Sequence, residues 1–246
     1  MKSNPEIVVI IKQIGGIQMK KKLVGFAVGA VIILGGAYYA YDYYAGNHVT
    51  IKEAIPVTAT SNAASTKTVD VGVLNKEWSI QPDSKVYFSI TTSKEKVNFE
   101  GGAVKGNWTL NVTDPAKMNA EAFVSIDNLQ SGNSQRDGHV KGEDFLNAQA
   151  FPEAKFKLKS IDQFPKKWKE GEKISFNMTG TLTVKDKSKD VTFKTDAVYN
   201  QGVINLGGST VITFDDYGMK NPHAVVLETE NNIIITLSLL LGQKTT

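Results

Sequence analysis

Beyond residue 77 the chain alternates apolar and polar positions with a period of two. Val86, Phe88 and Ile90 alternate with Tyr87, Ser89 and Thr91, and Ala122, Val124 and Ile126 with Phe123, Ser125 and Asp127. Phe176, Met178, Gly180, Leu182 and Val184 alternate with Asn177, Thr179, Thr181 and Thr183. Successive strand side chains point to opposite faces, so each run predicts a strand with one apolar face. Further strands are expected over 97–112, kinked near Gly101, Gly102 and Gly106, and over 154–161, 190–199, 203–214 and 224–240. The last carries Ile233, Ile235, Leu237 and Leu239 against Thr236 and Ser238. The only helical stretch expected among them is the insertion 134–150. Its apolar Val140, Phe145 and Leu146 are irregularly spaced, which predicts short helical turns that cover one end of the sheet.

About eight antiparallel strands make either a closed barrel or a two-sheet sandwich, and both protect strand edges. Long strands with glycine kinks lean toward a curved, closed sheet. Phe88, Phe99, Trp108, Phe156, Phe176, Met178, Phe193 and Phe214 supply a large apolar surface. Periodicity leaves two readings of them open, a packed core or the wall of a ligand cavity.

Ahead of the strands the pattern is different. Lys20, Lys21 and Lys22 precede nineteen residues, 23–41, without a formal charge. At 1.5 Å per residue such a helix spans roughly 30 Å, the thickness of a bilayer's hydrocarbon layer. Lysines on one side and tyrosines 38, 39, 41, 43 and 44 on the other predict a cytoplasmic N-terminus and an extracytoplasmic C-terminal domain. Aromatic residues stand where a cleavage site would want small ones, which favours an uncleaved anchor over a secreted protein released by signal cleavage. Met19, directly before the lysines, is a second candidate start. The expected organisation is a short cytoplasmic segment (1–22), a transmembrane helix or signal anchor (23–44), a flexible Ser-, Thr- and Ala-rich linker (45–76) and a β domain (77–242).

Composition narrows the chemistry. The 246 residues carry 28 Lys plus Arg, 25 Asp plus Glu and no cysteine. Absence of cysteine excludes thiol nucleophiles, thiolate metal sites and disulfides. The net charge of +3 belongs to the flank of the apolar segment, since residues 48–246 hold 23 basic and 23 acidic side chains. A neutral domain with one arginine, Arg136, lacks the basic stripe of a nucleic-acid binder. His48, His139 and His223 are the only histidines and form no metal-binding spacing; a site from His139, His223 and Asp137 or Asp215 requires the fold to assemble it. Nucleophile elbows, P-loops and dinucleotide fingerprints are absent. Paired acids at Glu143-Asp144 and Asp215-Asp216 are ordinary on a charged surface.

Several motifs, in order, resemble the YceI-like family of bacterial lipid-binding proteins over residues 77–241. Trp78-Ser-Ile-Gln-Pro-Asp-Ser-Lys-Val-Tyr-Phe-Ser-Ile90 is similar to the family's first strand, and Val104-Lys-Gly-Asn-Trp108 to its Val-x-Gly-x-Phe turn. The most specific match joins Ser131-Gly132, Arg136-Asp-Gly-His-Val140, Asp144-Phe-Leu146 and Phe151-Pro-Glu-Ala-Lys-Phe156. Gly180-Thr-Leu-Thr-Val184 with Lys189-Asp-Val191, and Phe214-Asp-Asp-Tyr-Gly-Met219, resemble two later elements. Val140, Asn147, Phe151, Asp186 and Tyr217 depart from the pattern, and of these Asn147, Asp186 and Tyr217 fall at turns or rims.

The resemblance implies an all-β fold: an extended, eight-stranded antiparallel lipocalin-like barrel with a short helical insertion, here preceded by one transmembrane helix. It implies a non-enzymatic protein, without cofactor, that holds, stores or transfers a long isoprenoid, polyprenyl or quinone-type, or a similar lipid. The alternative is a packed structural or interaction domain that recognises a cell-envelope partner. Expected lining residues are Phe88, Ile90, Phe99, Trp108, Phe156, Phe176, Met178, Phe193 and Phe214, with Phe145 guarding one mouth. Arg136 and His139 are the candidates for a headgroup contact; a structural clamp made by Arg136 and Asp137 is the competing role.

Overall fold

The alternating runs form ten strands in the computed structural model, which describes residues 31–55, 67–221 and 228–243. They are β1 (Glu77–Ile80), β2 (Lys85–Thr92), β3 (Lys96–Glu100), β4 (Val104–Thr109), β5 (Asn119–Ser125), β6 (Glu153–Asp162), β7 (Lys173–Val184), β8 (Lys187–Asn200), β9 (Val203–Thr213) and β10 (Thr229–Gln243). All pairings are antiparallel. Neighbours run β4-β5-β6-β7-β8-β9-β10, and β1 closes the ring by pairing with both β4 and β10.

Ten strands occupy only eight places in the barrel. One edge of β10 is paired with β2 through Ser238 and with β1 from Leu241 onward, so β1 and β2 are one strand interrupted at 81–84. Gln81 and Ser84 bridge the interruption by bonding to Leu240, at 2.8 Å from the Gln81 amide to the Leu240 carbonyl. The expected strand 97–112 is likewise two pieces, β3 and β4, broken at Gly101-Gly102. Gly106 within β4 has φ +151°, and a Cβ there would stand 2.1 Å from the Glu121 carbonyl oxygen, so only glycine permits the close approach of β4 to β5. The result is a closed eight-stranded antiparallel barrel, and the sandwich alternative is set aside by the continuous ladder around the ring.

Inside the expected insertion, α3 (Ser134–Lys141) is a helix of eight residues followed by turns. Asn133 caps it through its side chain, which accepts from the Arg136 amide at 3.0 Å. A one-turn helix, α2 (Val71–Leu74), precedes β1, with Asp70 as its cap. Two further short 3-10 turns cover Pro115–Lys117 and Asp215–Tyr217.

The described parts of the expected linker are bonded to the barrel. The Asn47 side chain accepts from the Asn98 amide at 3.0 Å, and Asn98 Nδ2 donates to the Val49 carbonyl at 2.8 Å. Farther along, Thr68 bridges to Lys169 and the Val69 amide donates to the Trp168 carbonyl. Residues 56–66 lie outside the described residues. This docking accounts for a departure from simple alternation: Ser89 and Asn98 point out of the barrel yet are buried, and they bond to each other at 2.7 Å.

Residues 31–45 form a separate helix, α1. Residues 23–30 of the expected membrane span lie outside the described residues. Among the described residues no helix is long and apolar enough to cross a membrane.

Candidate functional site

Period-two alternation sends Val86, Phe88 and Ile90 of β2, Ala120, Ala122 and Val124 of β5, Met178, Leu182 and Val184 of β7, and Ile233, Ile235, Leu237 and Leu239 of β10 toward the axis. These side chains do not fill it. They surround a cavity of about 210 Å³, many times the 10–15 Å³ that one water requires by the same kind of measure. An apolar lining offers water few partners, so the space suits a hydrocarbon.

One end of the barrel is filled instead. Trp108 lies 6.4 Å from Phe164 and 6.2 Å from Phe176, ring centre to ring centre, and Phe164 stands 5.0 Å from Phe176 and 5.8 Å from Trp168. Trp78 packs edge-on against Tyr199 beside them. Trp78 Nε1 donates to the Leu74 carbonyl at 2.9 Å and Trp168 Nε1 to the Pro165 carbonyl at 3.2 Å. The opposite end is bordered by α3, where the exposed His139 meets Phe145 at 4.8 Å; both line the cavity.

The cavity wall includes ten of the twelve side chains expected at a binding site: Phe88, Ile90, Phe99, Trp108, His139, Phe145, Phe156, Met178, Phe193 and Phe214. Phe88 stacks on Phe99 at 4.5 Å and Phe156 meets Phe193 edge-on at 5.5 Å, so the aromatic wall is internally braced. Phe176 is not on the wall. It points inward but is consumed by the packed end, against Trp108 and Phe164.

Arg136 is also off the wall. Its guanidinium carbon lies 5.7 Å from the Phe99 ring centre, and its Nε donates to Ser131 Oγ at 2.9 Å. The Asp137 carboxylate accepts from the Ser131 amide at 2.8 Å and from Ser131 Oγ at 2.5 Å. Burial pushes the Arg136 pKa down, with Asp137 and Glu95 opposing. Arg136 and Asp137 are thus joined through Ser131.

Most aliphatic wall residues other than Ile90 were absent from the expected site although their signal was present. Leu206, Ile212, Ile235 and Leu237 fall on the inward phase of β9 and β10, but aromatic side chains drew the expectation. His48 sits in the docked segment and His223 lies outside the described residues. Among the described residues no three histidine, aspartate or glutamate side chains gather to hold a metal ion.

A closed antiparallel barrel with an apolar interior cavity defines a container class of β protein. The chain belongs to the YceI-like domain family, whose model matches residues 78–239. A UPF0312 protein of Pseudomonas putida (strain GB-1) is 32% identical over 127 residues, 48% of this chain and 62% of that protein. Thus the matched part spans less than two thirds of that relative's length. A UPF0312 protein of Pseudomonas fluorescens (strain SBW25) is 26% identical over 215 residues, 83% of this chain and 90% of that one. Among solved structures, Burkholderia cenocepacia BcnA superposes with a TM-score of 0.54 at 19% identity, covering 64% of this chain and 95% of its own. A domain from Saccharophagus degradans described as polyisoprenoid binding gives 0.54 at 11% identity, covering 70% and 99%. At these identities the superpositions establish the shared fold.

Proposed function

We propose that this protein is a non-enzymatic lipid carrier, which holds, stores or transfers a long isoprenoid or similar apolar chain within its barrel. The observation that carries the reading is the cavity itself: strands that could have packed side chain to side chain leave an apolar space of about 210 Å³. Family membership and the likeness to a polyisoprenoid-binding domain support the same reading. Each methylene moved from water into such a space gains roughly 0.8 kcal/mol, so ten would offset much of the entropy lost on binding without any polar contact. The alternative of a packed interaction domain leaves the cavity without a purpose.

The proposal includes tethering at a membrane with the barrel on the extracytoplasmic side. Supporting it are the lysines before residue 23, the uncharged run 23–41 and the exposure of Ile32, Ile33 and Leu34 on α1, each about 70% accessible. A carrier held at a bilayer meets its poorly soluble cargo at the source.

Native mass spectrometry of the gently purified protein, followed by organic extraction, tests the carrier reading. A bound species of several hundred daltons that partitions into solvent is expected. A barrel that arrives empty and takes up no added isoprenoid overturns it.

A further inference from the structure

The cavity has a floor. Trp108 of β4 pairs with Ala120 of β5, and Ile80 of β1 pairs with Leu241 of β10; with Leu206 of β9 these are the last wall residues before the aromatic-packed end. On β7 the change falls between Met178, which is on the wall, and Phe176, which is not. The floor is also backed. Trp108 is 3% exposed and is braced by Phe164 and Phe176, which meet each other as well. Phe164 rests in turn on Trp168, whose Nε1 donates to the Pro165 carbonyl while its own carbonyl accepts from the Val69 amide. Rings packed this closely do not swing aside one at a time, so a cargo stops at Trp108.

The depth above the floor follows from the strands. The wall runs from Met178 to Val184 on β7 and from Leu241 to Ile233 on β10. These six and eight residue steps span about 20 and 27 Å of strand, which a barrel tilt near 40° shortens to about 15–20 Å along the axis. With single bonds near 1.5 Å, a zigzag chain advances about 1.25 Å per bond, so an isoprene unit, four bonds along the chain, takes about 5 Å. The cavity is therefore about three to four isoprene units deep. Its floor presents rings and aliphatic groups, whereas the exposed His139 stands at the other end, so the tail enters first and the polar end stays outermost.

Resting on the carrier reading, we propose that the floor made by Trp108 and Ala120 is a length gauge that selects cargo of about three to four isoprene units. Prenyl chains of fifteen to twenty carbons are taken in whole. Longer chains fill the same depth and leave their excess, at the polar end, outside the barrel.

Ala120→Phe sets a second ring beside Trp108 and raises the floor by one inward step, about 5 Å of axis or one isoprene unit. Equilibrium uptake of farnesol and geranylgeraniol, of three and four units, is measured on wild type and variant from the same detergent solution, so each prenol's own solubility cancels in the ratio. Geranylgeraniol affinity is expected to fall about tenfold or more in the variant and farnesol affinity less than about threefold. An equal fall for both prenols, or no fall for either, overturns the gauge. In case the variant folds poorly, wild type alone gives a second reading with hexaprenol, of six units. A water-soluble gadolinium chelate should broaden the olefinic proton signals of the units nearest the hydroxyl in bound hexaprenol and spare all four units of bound geranylgeraniol. Hexaprenol spared throughout overturns the gauge. If wild type takes up none of the three prenols, the carrier reading itself fails.

Discussion

Arg136 and Phe99 are stacked, with the guanidinium carbon 5.7 Å from the ring centre, and only Phe99 belongs to the cavity wall. The single arginine thus supports the wall from behind. Ser131 links it to Asp137, so one cluster fixes the loop before α3, the start of that helix and an aromatic of β3.

Arg136→Ala should therefore act on stability before it acts on cargo. Loss of a charge-assisted hydrogen bond and a ring contact is expected to cost about 1–3 kcal/mol in denaturant unfolding. Lipids with and without a headgroup should weaken together. Selective loss of head-bearing lipids at unchanged stability would instead place the guanidinium at the ligand.

Filling the cavity tests its role directly. Ala122 lies on the wall opposite Phe156 in the β5–β6 register. Ala122→Phe puts a ring into space that is already present, so the thermal midpoint should stay within a few degrees. Isoprenoid uptake should fall about tenfold or more.

Asn98 ties the segment 47–55 to the barrel by donating twice, from its backbone amide to the Asn47 side chain and from Nδ2 to the Val49 carbonyl. Asn98→Asp keeps the bond from Ser89 but turns the donor toward Val49 into a second acceptor, a local cost of about 1–3 kcal/mol. Amides at 47–49 should exchange faster with deuterium while those of β7 and β8 stay protected. Uniform acceleration across the barrel would show that the segment is part of the cooperative fold.

Alkaline pH should expose the buried Tyr217. Desolvation, with Asp216 nearby, pushes its pKa up from the ordinary 10 to about 12. The folded state therefore holds the phenolic proton longer than the unfolded chain does. Its contribution to stability is complete below pH 10, declines as pH rises from 10 and is gone above 12. Tyr217→Phe, which gives up only a 3.4 Å contact to the Leu182 carbonyl, should lose less stability than wild type across that interval. Parallel losses in both proteins would count against Tyr217.

Strand identity was legible wherever one face meets the axis and the other meets solvent, as in β7, where Phe176 through Val184 alternate cleanly. It was blurred where a second layer covers the outside. Ser89 and Asn98 read as solvent-facing, because nothing in their own strands announces that residues 47–49 will dock there. The breaks at 81–84 and at Gly101-Gly102 were half visible: the glycines signalled a kink, but the division into β1 with β2 comes from the register along β10, and that of β3 with β4 from their pairing with β2 and β1.

The sequence by itself determined which side chains face inward and, through an ordered set of motifs, the family to which the chain belongs. Local alternation and turn chemistry act over a few residues, so they survive without tertiary information. Whether the inward face is filled was decided by closure of the ring, since the radius of a barrel depends on strand number and stagger, which no single strand contains. That same closure separated residues of equal periodicity. Phe176 went to the packed end and Met178 to the wall, Arg136 was set behind Phe99, and Trp108 went to both, packing against Phe164 and Phe176 while its ring also borders the cavity.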